Sequence, residues 1–387
     1  MPNIQTNHIV FVSTNIFRID KFIIYIVFFT MSFVSILPTQ ISLGELLFWL
    51  YIFISFKIYF IVQDACDIRK HFIFYFILFV YLFLQLINQI EYSIKDFLNP
   101  IYFMVFLYFV YIFVYKSRNY YYIIIKSFLY SIYIHFIISV LQLLFPNIFY
   151  FGLDASQLSP LGNFYRVTGL FTNPNDLMLY LSPMIPFTYL FRFHITRYVL
   201  LTTLLLTFSK VAMVVVSITI LYDILKSKIR TKFILFIIFF LLSSFFYEYI
   251  DNAIMTITHA IEYRFTNANS LGDRLNAFYK VIQSIDDWLL FGAGPMGDLK
   301  FSEVRIHNLF LSLIVQYGII ALIVGLAIFL YIWLHYIYDY RFEKKYYIVS
   351  LMIWIAGEFV NTFTYIKALY ILPIICYIVI VNNKRVK

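Results

Sequence analysis

The chain has 387 residues, of which 63% are hydrophobic, 22% aromatic and only 13% charged, with a mean hydropathy of +0.84. A soluble core hides only part of so much apolar surface, so the composition excludes an ordinary soluble domain and points to an integral membrane protein. Lys and Arg outnumber Asp and Glu by 29 to 20, a net charge of +9, but the excess follows the connections between apolar runs, so no nucleic-acid partner is expected.

The apolar runs are continuous, which favours helices over a barrel. They lie at about 22–38, 43–62, 72–90, 97–115, 121–145, 175–191, 198–225, 233–250, 309–338, 346–362 and 366–382, with about twenty residues taken as one crossing. The first run has no small-residue cleavage site after it and is followed at once by further spans, so no cleavable signal peptide is expected. Arg18 and Lys21, then Arg69 and Lys70, then Lys116 and Arg118 fall on alternate connections, whereas those between hold only Lys95. The positive-inside rule assigns the basic connections to the cytoplasm.

Run 198–225 breaks the alternation, because Arg192 and Arg197 precede it and Lys226, Lys228, Arg230 and Lys232 follow it. Two cytoplasmic flanks require the run to go out and back as two short helices turning near Thr207 to Lys210. About twelve crossings result, with both termini cytoplasmic. The whole chain, 1–387, reads as a single all-α polytopic membrane domain without internal repeats or linkers. External segments fall at about 146–176 and 251–306. Nine basic residues remain outside or near the outer face: Lys95, Arg166, Lys210, Arg264, Arg274, Lys280, Lys300, Arg305 and Lys367.

In the first external segment, Asn173-Pro174-Asn175-Asp176 is a helix start with Asn173 or Asn175 as cap. The bland reading of Arg166 beside it is a side chain snorkelling to headgroup phosphates. In the second segment, Leu275, Phe278, Ile282, Ile285 and Leu289 recur at alternating three and four, an amphipathic helix lying on the membrane or capping the bundle. Arg274 stands at its amino end. Gly292-Ala293-Gly294-Pro295-Met296-Gly297 follows; without a preceding strand or a GxxxxGKS spacing it reads as a plain turn rather than a phosphate cradle. His307-Asn308 opens the run 309–338, too long for one straight crossing, which Gly318 divides. The other six histidines, His135 among them, read as structural, whereas His307 sits at the outer lip beside Arg305. Glu358 is an acid within a late span, and hence either a site residue or one half of an ion pair with an arginine. Cys66 and Cys376 have no metal-ligand or disulfide spacing.

These pieces resemble the O-antigen polymerase and O-antigen ligase superfamily of polytopic glycan transferases. They are Arg166-Val-Thr-Gly-Leu-Phe-Thr-Asn-Pro-Asn175 opening a helix, Leu206-Thr-Phe-Ser-Lys210 between two short helices, Asp273-Arg274 followed by Gly292-x-Gly294, and His307-Asn308 followed by Gln316-Tyr-Gly318. They cover about 160–330 in order and spacing; the first 150 residues match only as hydrophobic spans. One departure is Ser209-Lys210, where the family usually has Ser-Arg; lysine keeps the charge and loses the bidentate fork.

The resemblance implies a GT-C-like fold in a bacterial cytoplasmic membrane. It also implies transfer of a glycan from undecaprenyl diphosphate, on the outer face, to a sugar hydroxyl. A polymerase joining lipid-linked repeat units is the leading expectation, with O-antigen, capsule or a related polysaccharide as product. Alternatives are a ligase acting on lipid A core and, from another class, a lipid-linked oligosaccharide flippase or transporter. Arg166, Lys210, Arg264 and Arg274 would hold the diphosphate, and fixed cations stabilise a departing anion as a metal does elsewhere. His307 would take the acceptor proton or orient the acceptor. Asn308, Arg305, Glu358 and Asn175 are secondary candidates. The external loops hold no convincing Asp-x-Asp, so no metal and no cofactor is expected and the reaction is expected to invert the anomeric centre. The implied partners are the undecaprenyl diphosphate-linked oligosaccharide and membrane lipids, with a chain-length regulator as a further candidate.

Overall fold

The computed structural model describes residues 20–33, 42–55, 94–116, 120–145, 166–171, 173–226, 268–290, 292–294, 309–319, 344–358 and 366–381, with 75, 79, 148, 301 and 323 as single positions. Among the described residues every regular element is a helix. In chain order they are α1 (20–29, continued by the 3-10 turn Thr30–Ser32), α2 (Leu43–Ile54), α3 (Ile94–Lys116), α4 (Tyr121–Leu144), α5 (Pro174–Leu181), α6 (Ile185–Leu190), α7 (His194–Leu206) and α8 (Lys210–Lys226). Then come α9 (Ala268–Gln283), α10 (Ile285–Trp288), α11 (Leu309–Tyr317), α12 (Lys344–Glu358) and α13 (Ala368–Val381).

Among the described residues two helices, Leu98–Lys116 and Tyr121–Leu144, are long and apolar enough to cross a membrane, and Leu43–Ile54, His194–Leu206 and Ala368–Ile380 are shorter apolar helices. The outward faces are apolar too: Leu46, Leu50 and Phe53 on α2, and Val214, Ile218, Leu221 and Leu225 on α8, are exposed at helical spacing. A water-facing helix carries polar residues there, whereas a helix apolar all round needs lipid or protein on every side. The protein is a helical membrane protein.

The core of the bundle is aromatic. Phe28 on α1 touches Phe48 of α2, Phe113 of α3 and Phe128 of α4, with ring centroids 6.2 to 6.5 Å apart, and Phe128 continues to Tyr180 of α5 at 5.7 Å. Three edge-on pairs and one stacked pair, Phe28 with Phe113, interlock five helices. Gly44 lets α2 cross α1 backbone to backbone; a Cβ there would stand 2.5 Å from the Met31 nitrogen. Elsewhere α7 packs on α4 and α12 on α13, and the Ser350 hydroxyl of α12 donates to the Pro183 carbonyl at 2.6 Å.

Polar contacts gather at helix ends. Tyr51 donates to Asp20 at 3.2 Å, Lys344 Nζ donates to the Ile380 carbonyl at 3.1 Å, and Arg197 pairs with Asp223 at 3.3 Å. At the other ends, Lys367 Nζ meets Glu45 at 3.2 Å and lies 4.5 Å over the Tyr102 ring, while Tyr102 donates to Glu45 at 3.3 Å. Run 198–225 is indeed two helices, α7 and α8, separated by Thr207–Ser209, with Phe208 at a φ of 47° making the reversal.

Candidate active site

The site grows from a five-residue bracket, Val167 to Phe171, in which every backbone N–H has an acceptor. Val167 N donates to the Leu206 carbonyl at 3.3 Å and Phe171 N to the Thr168 carbonyl at 3.0 Å. Thr168 N and Gly169 N both donate to Gln142 Oε1 of α4, at 2.9 and 3.0 Å. Leu170 N donates to His135 Nδ1 at 3.4 Å. Gln142 Nε2 returns two bonds, to Thr168 Oγ1 at 3.0 Å and to the Gly169 carbonyl at 2.9 Å. A side chain that closes four bonds on two consecutive residues fixes their backbone. Gly169 is required there: its φ is +58°, and a Cβ would fall 2.7 Å from His135 Nδ1.

Arg166 enters from this bracket and is only 7% exposed. Its Nε donates to the Thr207 carbonyl at 2.9 Å and its Nη2 to Asn175 Oδ1 at 3.1 Å. The guanidinium therefore closes the carboxyl end of α7, where unpaired carbonyls favour a cation, and holds the start of α5. This replaces the snorkelling reading of Arg166: the side chain turns inward. Asn173 is the cap of α5, accepting from Asn175 N at 2.9 Å, with Pro174 at the first helical position and Asp176 in the first turn. The turn that receives Arg166 leads directly into Lys210, which opens α8.

Asp176, 1% exposed, acts electrostatically on Glu358 at the end of α12. Glu358 is also 1% exposed, and neither carboxylate oxygen has a hydrogen-bond partner among the described residues. An arginine partner, the competing sequence-based reading, is not among them. The approach of α12 to α5 depends on Gly357, whose Cβ would stand 2.7 Å from Leu179 Cδ2. The structure thus brings together Arg166, Asn175, Glu358 and the turn bearing Lys210.

The amphipathic helix forms as α9 and, after a break at Ser284, α10. Part of the expected face is used: Ile285 and Leu289 pack against a buried cluster of Val281, Trp288, Ala293 and Val315, whereas Phe278 and Ile282 are exposed. Within that cluster the Trp288 indole donates to the Val281 carbonyl at 2.9 Å. Arg274 stands on α9, whose described side chains begin at Asn276. Arg264, Arg305, His307 and Asn308 lie outside the described residues.

The glycine loop is a clasp on α11. Ala293 N donates to the Val315 carbonyl at 2.7 Å, Gly294 N to that of Gln316 at 3.1 Å, and Ile319 N to that of Leu289 at 2.6 Å. Its amides satisfy the last carbonyls of a helix, so these two donors do not form a phosphate cradle. Gly292, φ +75°, and Gly318, φ +68°, meet backbone to backbone, and α11 ends where Gly318 was expected to divide the run. Gly292→Ala is expected to weaken this clasp by about 1 to 3 kcal/mol, since its Cβ would run into the Gln316 carbonyl and its φ is left-handed. Faster proteolysis between α10 and α11, with an unchanged α1 to α8 bundle, is the readout.

One contributor lacked a visible signal in the sequence. Gln142 sits within an apolar run, where a polar residue is worth noting, but nothing marks its partners 26 residues on. For Glu45 the Ser42-x-x-Glu45 spacing shows the capping box at the start of α2, whereas its ion-pair partner Lys367 is not marked.

No curated protein and no solved structure matches the chain. The family model described as O-antigen ligase matches residues 198–330, about a third of the chain, from α7 through the Lys210 turn, Arg274, the glycine clasp and His307 to beyond α11. Arg166, Asn175 and Glu358 lie outside the matched stretch, yet Arg166 is bonded to it at Thr207. Through residues 198–330 the protein is similar to the O-antigen polymerase and ligase superfamily, the family that its motifs resemble.

Proposed function

We propose that the protein is a polysaccharide polymerase. In this reading it moves a glycan from undecaprenyl diphosphate to a sugar hydroxyl of another lipid-linked repeat unit, on the outer face of a bacterial cytoplasmic membrane. The observation that carries the reading is the braced Arg166, seated where α5 begins and where the Lys210 turn reverses the chain, in direct bonding contact with the region that matches the family. Bond breaking at the anomeric carbon places negative charge on the diphosphate, and cations that are already oriented stabilise that charge without reorganising. Arg166, Lys210, Arg264 and Arg274 supply them in this reading, so no metal is needed.

Acceptor attack from the face opposite the diphosphate inverts the anomeric centre, and His307 takes the proton or orients the hydroxyl. The topology that suits this chemistry has about twelve crossings in a GT-C-like arrangement, both termini in the cytoplasm and the segments 146–176 and 251–306 outside. His307→Ala is expected to lower transfer by about a hundredfold or more, within the range general acid-base groups contribute, while leaving the melting temperature within a few degrees.

The printed description of the matching family, an O-antigen ligase, favours one second reading, in which the acceptor is lipid A core. Purified protein given lipid-linked repeat units alone, and then with lipid A core added, separates the two. A ladder rising by one repeat unit in the first mixture supports the polymerase. Transfer only in the second supports the ligase.

A further inference from the structure

The end of the bundle where α4 starts and α8 finishes carries cations that the fold does not use. Arg192 lies between α6 and α7 with a φ of 58°. Phe193 N donates across it to the Thr188 carbonyl at 2.9 Å, and Arg192 N donates to that of Tyr189 at 3.2 Å. Arg192 thus fills the left-handed position after a helix that glycine takes at least cost. Its side chain is exposed and forms no ion pair among the described residues. Arg197, by contrast, is committed: it pairs with Asp223 at 3.3 Å, bonds His194 Nδ1 at 3.2 Å and lies 4.2 Å over the Tyr189 ring. Two lysines flank the same turn. Lys126 Nζ of α4 lies 5.4 Å over Phe191, the neighbour of Arg192. On the other side Tyr222 of α8 meets Tyr189 edge-on at 5.6 Å, and Lys226 Nζ lies 5.7 Å over Tyr222. Next to these cations the surface is apolar, with Ile195 and Tyr198 on the first turn of α7 and Leu221 and Leu225 on the last turns of α8 all exposed.

We propose that this rim binds an anionic phospholipid, with Arg192, Lys126 and Lys226 on the phosphate-bearing headgroup and the exposed ends of α7 and α8 against its acyl chains. The site is independent of the glycan-transfer reading. Cations and aromatic rings at the ends of lipid-facing helices lie at headgroup depth, where each Lys or Arg draws an anionic lipid by about fivefold in affinity. A soluble anion would leave the apolar side chains of α7 and α8 bare, and a neutral lipid would give the cations no counter-ion. An anionic lipid satisfies both. Arginine at the cap position also offers the phosphate a bidentate fork, which the cheaper glycine cannot.

The test titrates full-length protein in a neutral detergent with phosphatidylglycerol, phosphatidylcholine or glycerol 3-phosphate and reads the apparent affinity from the rise in melting temperature. Phosphatidylglycerol is expected to stabilise the protein, less so at high salt, and the other two are not. Arg192→Gly removes the charge and suits the left-handed backbone, so the turn is kept; Lys226→Gln removes the second cation at a helix end. Each is expected to weaken phosphatidylglycerol about fivefold, and the pair together about twenty-five-fold. Lys126→Gln replaces Arg192→Gly in the pair should the latter not fold. Lys280→Gln, an exposed lysine on α9, is the control and is expected to change nothing. A double variant within twofold of the parent overturns the site, as does an equal loss in Lys280→Gln, which would reduce the effect to general charge attraction. Equal stabilisation by phosphatidylcholine or by glycerol 3-phosphate overturns it too, the first by removing the need for charge and the second by removing the need for acyl chains.

Discussion

Arg166→Ala is expected to slow glycan transfer by about a hundredfold or more, and Arg166→Lys to recover little of the loss. Removing one fixed donor from a site that stabilises developing negative charge costs on the order of 10² to 10³ in rate. Two of the donors of Arg166 are committed to the Thr207 carbonyl and to Asn175, which sets the plane of the guanidinium. Lysine offers a point charge on a flexible stem and cannot make both bonds while also facing an anion. The same substitution costs about 1 to 3 kcal/mol of stability, because the end of α7 and the start of α5 lose a shared partner. Transfer rate and melting temperature are therefore measured together. A variant that melts lower but transfers within about fivefold of the parent would make Arg166 a brace alone.

Gln142→Leu is expected to be the most destabilising single change near the site. The volume is nearly conserved, so the effect isolates the hydrogen bonds. Leucine strands the Thr168 and Gly169 amides and the Gly169 carbonyl, all in a buried setting. Each orphaned buried group costs about 1 to 3 kcal/mol, and because the groups share one partner the sum is taken as about 3 to 5 kcal/mol, the range of severe core lesions. Gln142→Glu keeps both accepted bonds and loses the two donated ones, so an intermediate loss is expected. Thermal unfolding in detergent, with limited proteolysis at 166–171 as the local readout, orders the three proteins. Equal stability of Gln142→Leu and the parent would mean that the bracket is held by the helices around it.

The features that the sequence discloses are those set by local chemistry or by the membrane. The turn at Thr207–Ser209 follows from basic residues on both flanks of a single apolar run, a constraint no one-pass helix satisfies. The start of α5 follows from the Asn-Pro pair, which supplies a cap and a residue whose missing N–H does no harm. The end of α11 follows from Gly318. What was not legible depends on distant partners. A glutamine among leucines says nothing about which backbone it will hold, and the period of α9 shows an apolar face without showing that Val281, rather than Phe278 and Ile282, is buried with Val315 of α11. The spacing of Trp354 and Glu358 is visible in the sequence; that the Trp354 Nε1 and the Glu358 oxygens are buried without a hydrogen-bond partner among the described residues is visible only in the packing.

In the proposed reaction a carrier diphosphate leaves as a sugar-sugar bond forms. Its most direct measurement is the release of free undecaprenyl diphosphate by the purified protein in nanodiscs, with the lipid-linked repeat unit as sole substrate and a chelator present, followed beside the glycan products by mass spectrometry. One carrier released for each repeat unit joined, with both signals absent in His307→Ala, is the predicted result. Folded protein that releases no carrier and joins no units, whether or not lipid A core is supplied, would contradict glycan transfer and leave movement of an intact lipid-linked oligosaccharide as the activity to test.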